Sequence, residues 1–203
     1  MKRFVIILVG LALCLFLGLF AVYGLWLNRV RQAEQAFVQA RLPEADSLFR
    51  SAWSAWELRF LPGQLVEDNR VRTALNLVQI GYARGRYEET LDFLKNEGAL
   101  PALADRAEYH FWVGNLLMQR VLRGKSPAGL IEALGECREE YLESLRRNSE
   151  LWDAKYNYEF VNLLLAQLQQ GEGHQEPDIK LLLEHMRTDQ QRRKKELPPQ
   201  KRG

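Results

Sequence analysis

The sequence predicts an all-α protein whose helical domain follows an N-terminal transmembrane helix, and three observations lead there. Phe4 to Leu27 is a run of twenty-four residues without one charge or proline. Past it, aliphatic and aromatic residues return every three or four positions, with no sustained alternation of period two. Proline and glycine signals then cut that pattern into helix-length pieces.

The apolar run comes first. At about 1.5 Å per residue it reaches about 36 Å, which exceeds the roughly 30 Å hydrocarbon core of a bilayer and permits a tilted span. Lys2 and Arg3 precede it, and Trp26, Arg29 and Arg31 mark its exit as a cationic and aromatic interface. A cleaved signal peptide has an apolar centre of only about 7 to 15 residues and a small-x-small site after it, so a retained anchor fits better. The basic residues on the two sides balance, and charge leaves the orientation open.

The helices follow in order. Pro43 opens one that Leu61-Pro62-Gly63 closes, and Val66 to Arg84 is the next. Gly85 separates it from Tyr87 to Lys95, and Asn96 to Pro101 is a loop. Asp105 and Glu108 have capping-box spacing before a long pattern that ends near Leu122. Ser126-Pro127 supplies an N-cap and a first-turn proline for a helix to about Arg147. Ser149 starts another, Glu150 to Gln169, and after the linker Gly171 to His174 a short helix begins at Pro177-Asp178. Residues 1–28 are thus the anchor, 29–170 a helical repeat domain, and 171–203 a linker, short helix and basic disordered tail.

Charge and cysteine content narrow the function classes. Residues 28–203 are neutral overall, but Met186 onward holds seven basic residues against two acidic ones, leaving a mildly acidic body. The tail reads as a solvated end or as a patch for anionic lipid or an acidic partner. No nucleic-acid partner is expected. Cys14 lies in the apolar run and Cys137 in the domain, so no disulfide framework exists.

The helices repeat. Ala45, Phe49 and Ala52, then Thr90 and Leu94, then Cys137, Tyr141 and Ser144 hold equivalent places in three second helices, at offsets of 45 and 47 residues. The middle unit, Leu77 to Leu94, reads LVQIGYARGRYEETLDFL and resembles the junction of a tetratricopeptide repeat, with Gly85, Tyr87 and Leu94 matching and Thr90 where alanine is usual. Ala40, Leu42, Ala45, Phe49 and Ala52 stand in the same frame in the first unit. Inserted loops depart from the family's regular spacing, so the resemblance implies three irregular, degenerate helix pairs and a closing helix.

Motifs for chemistry are scarce. There is no H-E-x-x-H, Cys-x-x-Cys pair, P-loop or G-x-S-x-G, so no catalytic residue and no cofactor is expected. His174, Glu176, Asp178 and His185 are plausible metal ligands by type but meet no established spacing, and a solvated polar linker explains them as well. The aromatic groups Trp53, Trp56 and Phe60, and Tyr109, Phe111 and Trp112, have the spacing of helix packing. In Asn148 to Phe160, NSELWDAKYNYEF, the residues Trp152, Tyr156 and Phe160 form one apolar stripe beside a polar row of Asp153 and Asn157. That row is either a local structural device, with Asp153 favouring the helix N-terminus, or a polar clamp for a partner's backbone.

Around this segment Asp153, Ala154, Tyr156, Asn157 and Glu159 fit a pattern close to Asp-x-x-Ala-Arg-Tyr-Asn-Leu-Glu, with Lys155 for arginine and Tyr158 for leucine. The chain here resembles the MxaK-type family of small anchored helical-repeat proteins, encoded beside MoxR-type ATPases and von Willebrand factor A proteins in methanol-oxidation gene clusters. That resemblance implies a non-catalytic scaffold at the bacterial inner membrane with its soluble domain in the periplasm. It also implies protein partners, a methanol dehydrogenase among them, met through Asp153, Tyr156, Asn157 and Glu159. A general envelope protein supporting cell division or secretion, and a metal-handling protein, remain the alternatives.

Overall fold

Hydrophobic periodicity without strand alternation yields helices throughout the described part of the chain. The computed structural model describes residues 2–55, 58, 61–97, 101–123 and 129–171. Among them the order is α1 (Lys2–Val38), α2 (Leu42–Trp53), α3 (Gly63–Ala83), α4 (Tyr87–Glu97), α5 (Pro101–Ala104), α6 (Ala107–Arg123), α7 (Leu130–Arg147) and α8 (Trp152–Gly171). Two compact units, 1–112 and 113–203, divide the chain within α6.

In the first unit the apolar run does not end in a joint. α1 continues without a break past Leu27 to Val38, so the expected boundary at residue 28 falls inside a helix. Its first half is long and apolar enough to cross a membrane, with a mean hydropathy of 3.1 and none of that window buried. Its second half buries Trp26, Val30, Ala33 and Ala36 against Ala45, Phe49 and Ala52 of α2. Trp26, expected as an interfacial aromatic, is instead only 3% exposed, and its indole Nε1 donates to the carbonyl of Ala52 at 3.0 Å. The cause is helical phase: Trp26 shares one face with Val30 and Ala33, and that face meets α2.

α2 also differs from expectation, ending at Trp53 and not at Leu61. The Ser54 N–H closes the last helical bond to the Arg50 carbonyl at 3.0 Å, and the Ser54 hydroxyl donates to the same carbonyl at 2.9 Å. Leu58 and Leu61 then turn into the core. Trp53 meets Phe93 of α4 edge-on at 5.6 Å and carries the Arg70 guanidinium 4.8 Å above its ring. Of the expected loop at Asn96 to Pro101, Asn96 belongs to the end of α4 and Pro101 to the start of α5, with residues 98–100 outside the described residues, and Asp105 lies in the turn before α6. Trp56 and Phe60 lie outside the described residues.

The internal repeat is carried by the backbone. At the end of α1 the N–H groups of Gln39, Ala40 and Arg41 donate to the carbonyls of Gln35, Phe37 and Ala36 at 3.1, 3.0 and 2.9 Å. At the end of α3 those of Arg84, Gly85 and Arg86 donate to Ile80, Tyr82 and Gly81 at 3.0, 3.1 and 2.9 Å. Every donor and acceptor is displaced by 45 residues. Both turns are Schellman caps with a left-handed residue, Ala40 at φ 58 and Gly85 at φ 73. Ala40 therefore occupies the glycine place of the first pair, at a backbone angle that costs an alanine about 1–2 kcal/mol.

The place behind each turn is held by small residues, differently chosen in the two pairs. A Cβ added to Gly81 would stand 2.1 Å from Oγ1 of Thr90. The equivalent places in the first pair hold Ala36 and Ala45, both fully buried. A glycine facing a threonine thus replaces an alanine facing an alanine, which explains why Thr90 stands where the smaller residue is usual.

In the second unit Cys137, Tyr141 and Ser144 are all buried on α7, as Ala45, Phe49 and Ala52 are on α2. The ring of Tyr141 lies where a Cβ on Gly114 of α6 would approach to 2.7 Å. α8 packs on α7. It starts at Trp152, because the side chain of Asn148 accepts from the N–H of Glu150 at 3.0 Å and holds a turn ahead of the helix. The expected cap at Ser126-Pro127 and the helix after Pro177 fall outside the described residues.

Gly81→Ala alone is expected to destabilise the protein by about 2 kcal/mol through overpacking. Combining it with Thr90→Ala, which recreates the alanine pair of the first unit, should recover most of that loss, and Ala40→Gly should stabilise by about 0.5–1 kcal/mol. Thermal and urea unfolding of the detergent-solubilised chain measure all three.

Candidate functional site

The helical phase of α8 decides which of the expected partner-binding residues can meet a partner. Ala154, Asn157, Val161, Leu164 and Leu165 recur at three- and four-residue steps and are buried, so they form the inward face. Asn157 is therefore a core residue at 8% exposure, and its amide Nδ2 donates to Oδ1 of Asn115 at 2.8 Å. The same oxygen accepts the Tyr141 hydroxyl at 2.9 Å. One asparagine on α6 thereby ties α7 and α8 together, both lone pairs of its carbonyl oxygen being used.

Asp153 and Glu159 are exposed, and Tyr156 is half-buried. Asp153 and Asn157, expected as one polar row, are split between surface and core. The expected stripe of Trp152, Tyr156 and Phe160 is likewise not the core face. Trp152 is 70% exposed and Leu163 is also exposed, while Tyr156 and Phe160 lie at intermediate depth. The reason is that residues four apart drift around a helix by about 40° per step, so the stripe slides off the face set by Ala154 and Val161.

What remains outward is an amphipathic strip of Trp152, Lys155, Tyr156, Glu159 and Leu163. Lys155 Nζ lies 5.1 Å from the Trp152 ring centroid, within cation–π range. Such a strip offers an aromatic anchor with charges of both signs beside it, the composition of a protein-contact surface.

A second cluster, in the first unit, escaped the sequence reading. The buried carboxylate of Asp46 on α2 accepts from Arg50 Nε at 3.1 Å, Arg84 Nη1 at 2.7 Å and Arg86 Nη2 at 2.8 Å. Arg50 Nη2 also reaches Glu89 Oε1 at 2.6 Å. Burial alone would raise the Asp46 pKa, but the hydrogen bonds and positive charge of Arg86 and Arg50 outweigh it and hold the carboxyl below its ordinary value. Only the Asp46–Arg50 pair, four apart on one helix, carried a signal; Arg84 and Arg86 arrive from the far side of the α3–α4 turn. The cluster fastens α2 to that turn.

Among the described residues no group of three or more His, Cys, Asp or Glu could hold a metal ion. His174, Glu176, Asp178 and His185 lie outside the described residues. Cys137 is fully buried, and burial first, then the neighbouring Glu136 charge, pushes its thiol up to about 12. A thiol so raised forms no thiolate near neutral pH.

Asn157→Ala should cost about 1–2 kcal/mol by removing one of the two hydrogen bonds to the buried Asn115 oxygen and leaving a gap in the core face, whereas Trp152→Ala and Glu159→Ala should stay within about 0.5 kcal/mol, all read by urea unfolding. Asp46→Asn should cost about 2 kcal/mol at neutral pH, less than a fully buried pair because the guanidiniums stay partly solvated. A carboxylate with a depressed folded pKa stabilises above its unfolded value, so the Asp46 contribution should be present above about pH 4 and fade as pH falls below it. The difference in melting temperature between wild type and Asp46→Asn should shrink over that interval.

Compared with known proteins, the chain matches no family model, and no curated protein is significantly similar to it.

Proposed function

We propose that this chain is a non-catalytic scaffold, anchored in the bacterial inner membrane by α1, whose degenerate tetratricopeptide-like helix pairs hold partner proteins at the membrane surface. The observation that carries the proposal is the continuity of α1. Its apolar half and its domain half are one helix, and Trp26 is part of the domain core, bonded to Ala52 of α2. Leu19 and Tyr23, inside the apolar run, also pack against that core. Removal of the run as a leader would strip the core, which favours a retained anchor over a cleaved signal.

The 45-residue repetition of caps and small-residue contacts supports paired helices as the domain's building unit. The outward strip on α8 supports recognition of a protein. The likeness of Leu145 to Glu159 to the MxaK-type family adds the pathway: maturation or activation of a periplasmic methanol dehydrogenase, with MoxR-type ATPase-linked and von Willebrand factor A membrane proteins as partners. The soluble domain then lies in the periplasm.

Affinity capture from detergent-solubilised membranes tests the proposal. The tagged chain should recover a von Willebrand factor A, ATPase-linked or dehydrogenase component, and Trp152→Ala should reduce that recovery several-fold. Normal growth on methanol in a deletion strain that shows an envelope defect would contradict the methanol-oxidation role and favour a general envelope protein.

A further inference from the structure

We infer that the first unit rests directly on the bilayer, with Leu65 and the first turn of α3 in contact with lipid beside Tyr23. This rests on α1 spanning the membrane, and it concerns where the domain stands once it does.

Lys2 and Arg3 set the beginning of the span, because charge is costly within hydrocarbon. From Phe4 to Tyr23 a helix climbs about 28 Å at 1.5 Å per residue. The hydrocarbon core is about 30 Å thick, so Tyr23 falls where acyl chains give way to headgroups, the depth that tyrosine favours. Its hydroxyl donates to the Leu65 carbonyl at 3.2 Å. Leu65 therefore stands within one hydrogen bond of a residue at the membrane boundary. Leu19, a turn deeper, also packs on the core of the domain.

The side chains at this height are left open. Leu65 is 55% exposed, and Pro62, Gly63 and Gln64 beside it are exposed as well. A single exposed leucine is ordinary on a protein surface. This one stands beside Tyr23, one turn past the end of the bare apolar surface that α1 shows from Phe4 to Phe20. Arg31 is exposed about 12 Å farther along the helix, from where its guanidinium can bend back to lipid phosphates. The occupant of this face is thus the anionic bilayer surface itself, with leucine and tyrosine at the acyl boundary and arginine above.

The test uses the full chain, carrying Cys14→Ser, in vesicles of phosphatidylcholine and phosphatidylglycerol. Cys137 is fully buried and stays unlabelled. Leu65→Cys and Val38→Cys, the latter at the far end of α1, each carry a polarity-sensitive fluorophore. The probe at 65 should emit to the blue and be quenched several-fold more by nitroxide-labelled lipid than the probe at 38. Equal quenching of both by aqueous iodide, with the protein still in the membrane pellet after alkaline carbonate, would overturn the lipid contact and leave the anchor standing. Release by carbonate would overturn both.

Discussion

The indole of Trp26 lies at the point where α1 stops being a surface for lipid and becomes the first helix of a folded domain. Its Nε1 proton goes to the Ala52 carbonyl, so the indole is seated against the last turns of α2. Because no break in α1 separates the apolar run from this seat, the direction of the span dictates the direction of the first helix pair. A hinge would have let the domain wander; a continuous helix gives it a height and a heading.

From that seat the first unit is built twice over by the same device. A helix ends in a Schellman turn with one left-handed residue, an arginine follows, and small buried residues stand where the next helix packs, with Gly81 too close to Thr90 to admit a Cβ. Small residues are required because the backbones approach each other, and the sum of the two side chains is what the contact fixes. Asp46 then clamps the two copies together, its carboxylate shared by one guanidinium from its own helix and two from the turn of the other pair. The buried carboxylate tolerates its position because each oxygen is met by a charged donor.

Much of this could be read in the sequence. The apolar run, the helix order and the frame of Ala45, Thr90 and Cys137 are local or periodic signals, and helical phase turned them into buried positions. The extent of α1 was also legible, since Trp26, Val30 and Ala33 share one helical face that runs on past Leu27. The premature end of α2 at Trp53 has no counterpart in the sequence pattern, which carries no proline or glycine between Pro43 and Pro62. The inward turn of Asn157 depends on Asn115, forty-two residues away, and the Asp46 cluster on a turn brought near only by the fold. Long-range polar pairing leaves no periodic trace, and for this reason the exposed residues of α8 separated from the core ones only in three dimensions.

An anchor that shares a helix with its domain suits a protein whose work is to present a surface at a fixed distance from the membrane. Amide hydrogen exchange along Leu25 to Val38 in the reconstituted full chain tests that rigidity most directly. Protection that runs unbroken through Asn28 to Gln32, equal to that of the α2 core, is the predicted result. Rapid exchange confined to those residues would reveal a joint between anchor and domain and contradict the account.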